Sequence, residues 1–340
     1  MKAMVLEGIG GIESSPLVLT DVDVPEPSDG EVRVKVRVCG VCRTDLHVIE
    51  GELPKEKLPV IPGHQIVGIV DKVGPGCSEL KEGQRVGVAW LRYTCGECDF
   101  CKRGQENLCD NAAFTGYHAD GGYAEYAVVP EKFAYVLPEA FNDVDVAPLL
   151  CAGIIGYHAL RRANVPDGGS ICLVGFGSSA HIVFQLCQQR GYRIFVVTRG
   201  ESHCQLARDM GAEWAGQDFD GLPEKVDSAI IFAPAGELVP EALKSLRKGG
   251  TLALAGIYMT PIPEMDYEEC VFYERDIHSV TANTREDGRG LLAEAAKIPI
   301  RPKTTLYPLE KTNKALQDLK ADKVDGSAVV VVSEDATTGE

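Results

Sequence analysis

Basic residues are in deficit in this chain: 34 Lys and Arg stand against 50 Asp and Glu, a formal charge of −16 at pH 7. Nucleic-acid binding draws on clustered cations that neutralise phosphates, so no nucleic-acid partner is expected, and pairs such as Arg161-Arg162 read as solvated faces. Long apolar runs are missing too. Nothing approaches the roughly 20 residues that a membrane helix needs, which argues against a membrane span. No signal-type apolar region develops before Glu7 in Met1-Lys2-Ala3-Met4-Val5-Leu6-Glu7, and the expected location is cytoplasmic. Internal repeats and low-complexity tracts are also absent.

What is present is enough chain for two cores, since 340 residues is about twice the usual domain length of roughly 150. The first part, residues 1–151, carries short β-like runs broken by Gly and Pro, such as Val32-Arg33-Val34-Lys35-Val36-Arg37-Val38 and Ile66-Val67-Gly68-Ile69-Val70. It reads as a compact, mostly β domain. Over 152–288 the pattern changes to strand, helix, strand. Apolar strands are expected at Ile171–Val174, Tyr192–Val197, Ser228–Phe232 and Thr251–Ala255, which implies an α/β layer with a parallel sheet. Residues 289–340 are expected to hold a helix, Leu291–Lys297, and a strand at Ala328–Val332 that returns to the first domain, with a frayed tail from Ser333.

Twelve cysteines without a secretory context point to reduced thiols and metal ligands rather than a disulfide framework. Four of them, Cys95, Cys98, Cys101 and Cys109, form C-x2-C-x2-C-x7-C in a loop of Gly, Asp and Lys. One loop with that spacing wraps four thiolates around a tetrahedral zinc, and four ligands close the site, so its role is structural. An iron–sulfur cluster is the competing reading. The distant fourth cysteine, with no Cys-Pro following, favours zinc.

Gly175-Phe176-Gly177-Ser178-Ser179-Ala180 follows a predicted strand and opens a helix running from about Ala180 to Gln189, the context that makes G-x-G-x-x-A a dinucleotide-binding loop. Its glycines admit the pyrophosphate backbone, and the helix N-terminus favours the negative charge. One residue type is missing here. An Asp or Glu ending the second strand would hold the ribose 2′-hydroxyl of NAD; Val196-Val197-Thr198-Arg199-Gly200 stands there instead. Arg199 suits the extra phosphate of NADP, with Thr198 or His203 adding a hydrogen bond, so NADP(H) is favoured over NAD(H).

Cys42-Arg43-Thr44-Asp45-Leu46-His47, then Gly63-His64-Gln65, then Pro148-Leu149-Leu150-Cys151-Ala152-Gly153, resemble the catalytic zinc motifs of the medium-chain dehydrogenase/reductase family, alcohol dehydrogenase type. With the quartet and the Gly-rich loop, the resemblance spans essentially the whole chain. It implies a GroES-like, mostly β catalytic domain with both zinc sites, plus a Rossmann domain with a doubly wound parallel sheet. The implied reaction is reversible hydride transfer between a primary or secondary alcohol and NAD(P), an aldehyde or ketone being the reverse substrate. A polyol or formaldehyde-type dehydrogenase of the same fold, or a non-catalytic zinc- and cofactor-binding protein, are the alternatives.

By resemblance, Cys42, His64 and Cys151 hold a catalytic zinc, making two zinc ions per subunit. Two thiolates and one imidazole balance the metal's charge and leave a fourth position open. Asp45 matches the carboxylate that orients the His64 ring. Thr44 and His47 match the proton relay, where an imidazole titrating near about 6.5 suits the outer position. Arg43 matches a position near the cofactor pyrophosphate, and Trp90 and Leu91 match positions lining the substrate pocket. The other histidines, among them His118, His158, His181 and His278, are read as surface or satisfied side chains. Two departures stand out. Gln65 replaces the Glu of many relatives, leaving metal ligation to Cys42, His64, Cys151 and solvent, and Gly326-Ser327 stands where relatives carry Gly-Arg. A homo-oligomer, dimer or tetramer, acting on a small-molecule alcohol or carbonyl is the expected assembly.

Overall fold

The structure is a computed structural model and describes residues 1–54, 57–298, 300–324 and 326–333. The expected frayed tail lies outside these beyond Ser333. Contacts divide the chain into two units, Met1–Ala152 with everything from Ala282 onward, and Gly153–Thr281. Among the described residues no single helix is long and apolar enough to cross a membrane.

The first unit is built on a seven-stranded sheet whose centre is the long strand Glu31–Gly40. Its alternation is visible in the burial: Val32, Val34, Val36 and Val38 are buried, while Arg33 reaches Asp71 and Glu26, and Arg37 reaches Asp143. Period-2 patterning thus sets which face of the strand meets the core. Gln65–Val73 pairs antiparallel along one side, placing Gln65 opposite Gly40. Ser327–Val331 pairs antiparallel on the other side, with Val331 opposite Val38. This sheet is the GroES-like part of the chain.

The second unit is a six-stranded, all-parallel sheet in the order Trp214–Gly216, Arg193–Val197, Ser170–Val174, Val226–Ile231, Leu246–Leu254, Asp276–Ser279. In chain order that is 3-2-1-4-5-6, the Rossmann arrangement. The middle strands are apolar at nearly every position because helices cover both faces; Ser170–Val174 is buried throughout. The dinucleotide-binding helix spans Ser178–Gln189, starting two residues before the expected Ala180.

The second break between units falls at Thr281–Ala282, seven residues before the expected 288/289. The helix that follows is bonded to the first unit. Arg285 opens the helix Arg285–Ala295, and its backbone N–H and guanidinium both donate to Glu106, at 2.7 and 2.6 Å, while the guanidinium lies over the Phe133 ring at 4.5 Å. Glu106 sits in the turn just before Cys109, so this helix is tied to the first unit at its first residue.

Burial works to raise the Glu106 pKa, but the Arg285 hydrogen bonds and charge overcome it and hold the carboxyl below its ordinary 4.5. A carboxylate depressed in the folded state contributes stability above its unfolded pKa and loses it as pH falls through the folded value. Glu106→Gln should therefore cost about 1–2 kcal/mol near neutral pH. Urea denaturation across pH should show the gap from wild type closing as pH drops below 4.5; a gap constant with pH would remove the charge from the argument.

Candidate metal centres and cofactor loop

The short hairpin of Leu91–Tyr93 and Ala113–Phe114 presents the cysteine loop. Cys98 caps the four-residue helix Asp99–Lys102, its sulfur accepting from the Cys101 N–H at 3.5 Å. Cys95 Sγ accepts from the Cys98 N–H at 3.3 Å, and Cys109 Sγ from the Cys95 N–H at 3.4 Å. Backbone donors aimed at sulfur favour thiolates; those of Glu97 and Cys98 bring the Cys95 thiol down to about 6. The four sulfurs lie within 4.8 Å of one another, with Cys95 at 3.5 Å from Cys109 and 4.0 Å from Cys101. A tetrahedral zinc with bonds of about 2.3 Å separates its sulfurs by about 3.8 Å. The loop therefore fits a single ion; a cluster would need wider spacing to admit its sulfide core.

The second constellation begins at the helix Arg43–Glu50. Cys42 is its N-cap and Asp45 completes a capping box, Asp45 Oδ2 accepting from the Cys42 N–H at 2.9 Å. The other oxygen, Oδ1, meets His64 Nδ1 at 2.9 Å. Cys151 ends the 3-10 turn Ala147–Leu150, and its sulfur lies 3.6 Å from that of Cys42. The donor atoms of Cys42, His64 and Cys151 gather within 4.8 Å. His64 is fully buried, and its Nε2 has no hydrogen-bond partner. A buried ring nitrogen aimed at two thiols and bonded to nothing fits a metal ligand.

The three groups also shift one another's protonation, with the Cys42 sulfur and burial holding the Cys151 thiol well above its ordinary value. Burial opposes charge on the His64 ring, but Asp45 and Cys42 more than offset it and push its pKa up to about 10, while the Cys151 thiol and the His64 imidazole hold Cys42 well below its ordinary value.

Gly63 fixes where His64 points. Its φ of +95° suits glycine, and a Cβ would stand 2.8 Å from the Tyr123 ring and 3.0 Å from Cys39 Sγ. The segment 61–63 is laced to 121–123 by three backbone bonds, Gly121 N–H to Ile61 O, Gly122 N–H to Gly63 O and Tyr123 N–H to Pro62 O.

At the cofactor loop, Gly175 has φ +87° and donates its N–H to Val197 O at 2.7 Å, closing the turn against the second strand. Gly177 is the N-cap without a side-chain cap and has open space where a Cβ would be, so the N–H groups of Ser178, Ser179 and Ala180 head the helix. Ala180 is fully buried. At the end of the second strand, Thr198 is buried, whereas Arg199 is exposed with no ion-pair partner among the described residues.

Comparison with known proteins agrees with this geometry. Residues 28–139 match the alcohol dehydrogenase GroES-like domain, and 180–297 match the zinc-binding dehydrogenase domain. Over 98% of its length the chain is 47% identical to a probable alcohol dehydrogenase, AdhA, of Mycobacterium tuberculosis, covering 97% of that protein. The chain belongs to the zinc-dependent medium-chain alcohol dehydrogenases. An alcohol dehydrogenase of Geobacillus stearothermophilus is 36% identical over 94% of the chain and 96% of its own length. The solved structure of AibC superposes with a TM-score of 0.90 at 28% identity, over 98% of this chain and 96% of that one.

Within this alcohol dehydrogenase the remaining expected residues are placed as follows. Thr44 is buried, its Oγ1 3.6 Å from Cys42 Sγ. His47 lies one turn further on, Nδ1 bonded to Glu52. Arg43 is paired with Asp322 at 2.8 Å on the surface. The Trp90 ring meets the His64 ring edge-on with centroids 5.0 Å apart, while Leu91 is fully buried in the core. Gln65 is buried with its side chain against Gly40. Sequence reading missed two partners: Glu52 on His47, and Tyr123, whose hydroxyl donates to Asp45 Oδ2 at 2.9 Å. Neither belongs to a motif.

Gly63→Ala combines a left-handed backbone with overlap on the Tyr123 ring, so it should destabilise the protein by about 2–4 kcal/mol in urea denaturation. A loss under about 0.5 kcal/mol, the range of an ordinary surface change, would show that Gly63 does not constrain the site.

Proposed function

We propose that this alcohol dehydrogenase carries one zinc at Cys42, His64 and Cys151 and a second at Cys95, Cys98, Cys101 and Cys109, and that it interconverts a primary or secondary alcohol with its carbonyl using NADP(H). The observation that carries the reading is the convergence of two thiols on the bare, buried Nε2 of His64. When bound, zinc would supply Lewis acidity toward the alcohol oxygen and the nicotinamide would supply the hydride acceptor.

The chain's own residues do the rest. Asp45 keeps the His64 Nδ1 proton in place, which leaves Nε2 free as a donor atom. Thr44 Oγ1, beside Cys42 Sγ, takes the substrate hydroxyl proton and passes its own outward. His47 receives a proton at Nε2, because Nδ1 is engaged by the Glu52 carboxylate, and returns it to solvent. The Trp90 ring, edge-on to His64, gives the site an apolar wall.

Metal analysis of the purified protein should find two zinc ions per chain. Cys98→Ser should lose one of them together with several kcal/mol of stability, as removal of a closed structural ion does. Cys151→Ser should lose the other and all turnover while melting near wild type. Two zinc ions retained in either variant would reject the assignment.

The NADP reading rests on Arg199, whose guanidinium stands free where an acidic residue would select NAD. Wild type should show a higher kcat/KM with NADPH than NADH, and Arg199→Ala should lose about tenfold with NADPH while leaving NADH nearly unchanged. A wild-type preference for NADH would overturn it.

A further inference from the structure

Tyr123 lies 59 positions from His64 in sequence, yet it bonds to the carboxylate that holds that imidazole and packs on the residue before it. Its ring is fully buried and packs on Gly63, the residue before His64. Its hydroxyl donates to Asp45 Oδ2 at 2.9 Å, and Asp45 Oδ1 meets His64 Nδ1 at 2.9 Å. We propose that Tyr123 is a positioning residue for the metal-holding His64, acting through the Asp45 carboxylate. The proposal rests on the reading that Cys42, His64 and Cys151 hold zinc.

The terminal torsion of an Asp side chain is broad, so a carboxylate fixed by one bond can still rock about Cβ–Cγ. The Cys42 N–H supplies that one bond, to Oδ2. A second donor on the same oxygen, arriving from another segment, fixes the carboxylate plane and aims Oδ1 at the imidazole. Tyr123 is suited to this because it cannot move. Its backbone N–H donates to Pro62 O at 3.1 Å, and its carbonyl accepts from the Met4 N–H at 2.8 Å. A phenylalanine would pack equally well on Gly63; only the hydroxyl reaches Asp45. Partners of metal-binding histidines commonly change metal affinity by about 10–100-fold, so a donor one bond further out should act more weakly.

The test is Tyr123→Phe in the zinc-loaded full chain, with zinc release to a chromogenic chelator as the main readout. Release from the Cys42/His64/Cys151 site should quicken about 3–10-fold, with release from the cysteine quartet unchanged. The ligand-field bands of cobalt substituted at the catalytic site should shift. In an Asp45→Asn background, Tyr123→Phe should add nothing to the release rate, since its route runs through Asp45. A lower melting temperature with unaltered release and an unaltered cobalt spectrum would make Tyr123 merely structural and overturn the proposal. An additive effect in the double variant would overturn the route through Asp45. If Cys151→Ser also leaves metal content and release at wild-type values, the metal assignment beneath the proposal is what has failed.

Discussion

The buried carboxylate of Asp45 is the constraint around which the candidate site of the first unit is arranged. At 1% exposure its oxygens have little access to water and need donors from the protein. Three arrive: the backbone N–H of Cys42, the Nδ1 of His64 and the hydroxyl of Tyr123. Each brings a separate stretch of chain to a fixed place. The bond to Cys42 starts the helix that carries Thr44 and His47. That to His64 turns the ring so that Nε2 faces the two thiols, and that to Tyr123 draws in the strand-like segment that braces Gly63. The charge itself favours a cation nearby, the electrostatic condition for gathering two cysteines and a histidine in an apolar setting. Removing Asp45 would disturb a helix start, a ring orientation and a local field together, so its effects could not be divided among them without the double variant.

What could be read from the sequence follows from how local each feature is. The cysteine quartet was legible because all four sulfurs come from one loop in which no core role is plausible. The dinucleotide loop was legible because strand, glycines and helix are contiguous. Alternation along Val32–Val38 marked a strand with one buried face, while the uninterrupted apolar stretch at Ile171–Val174 marked one covered on both. The edge strands Trp214–Gly216 and Asp276–Ser279 gave no such signal: the first is three residues long, and the second is largely exposed, so neither needs an apolar run. The unit boundary at Thr281–Ala282 was not legible either, since contacts such as Arg285 with Glu106, which join the following helix to the first unit, span 179 positions. Tyr123 escaped for the same reason; nothing in Gly121-Gly122-Tyr123 announces a carboxylate partner.

The two constellations differ in the same respect, and the difference bears on their roles. The four thiols of the quartet all come from the stretch from Cys95 to Cys109, so little chain entropy opposes gathering them, and backbone N–H groups already point at three of the sulfurs. Such a loop can take up metal as it folds and stabilise the fold in doing so. Cys42 and Cys151 are 109 positions apart and meet only after the long sheet, the Gly63 turn and the Ala147–Leu150 turn are in place. Metal affinity there would be a property of the finished fold and would vanish with it. If this site holds zinc, as we propose, the surrounding structure rather than the ion would place its ligands, so three could suffice instead of four. A position open to an exchanging oxygen ligand would then be tolerable because the protein carries the geometry by itself, through the bonds converging on Asp45.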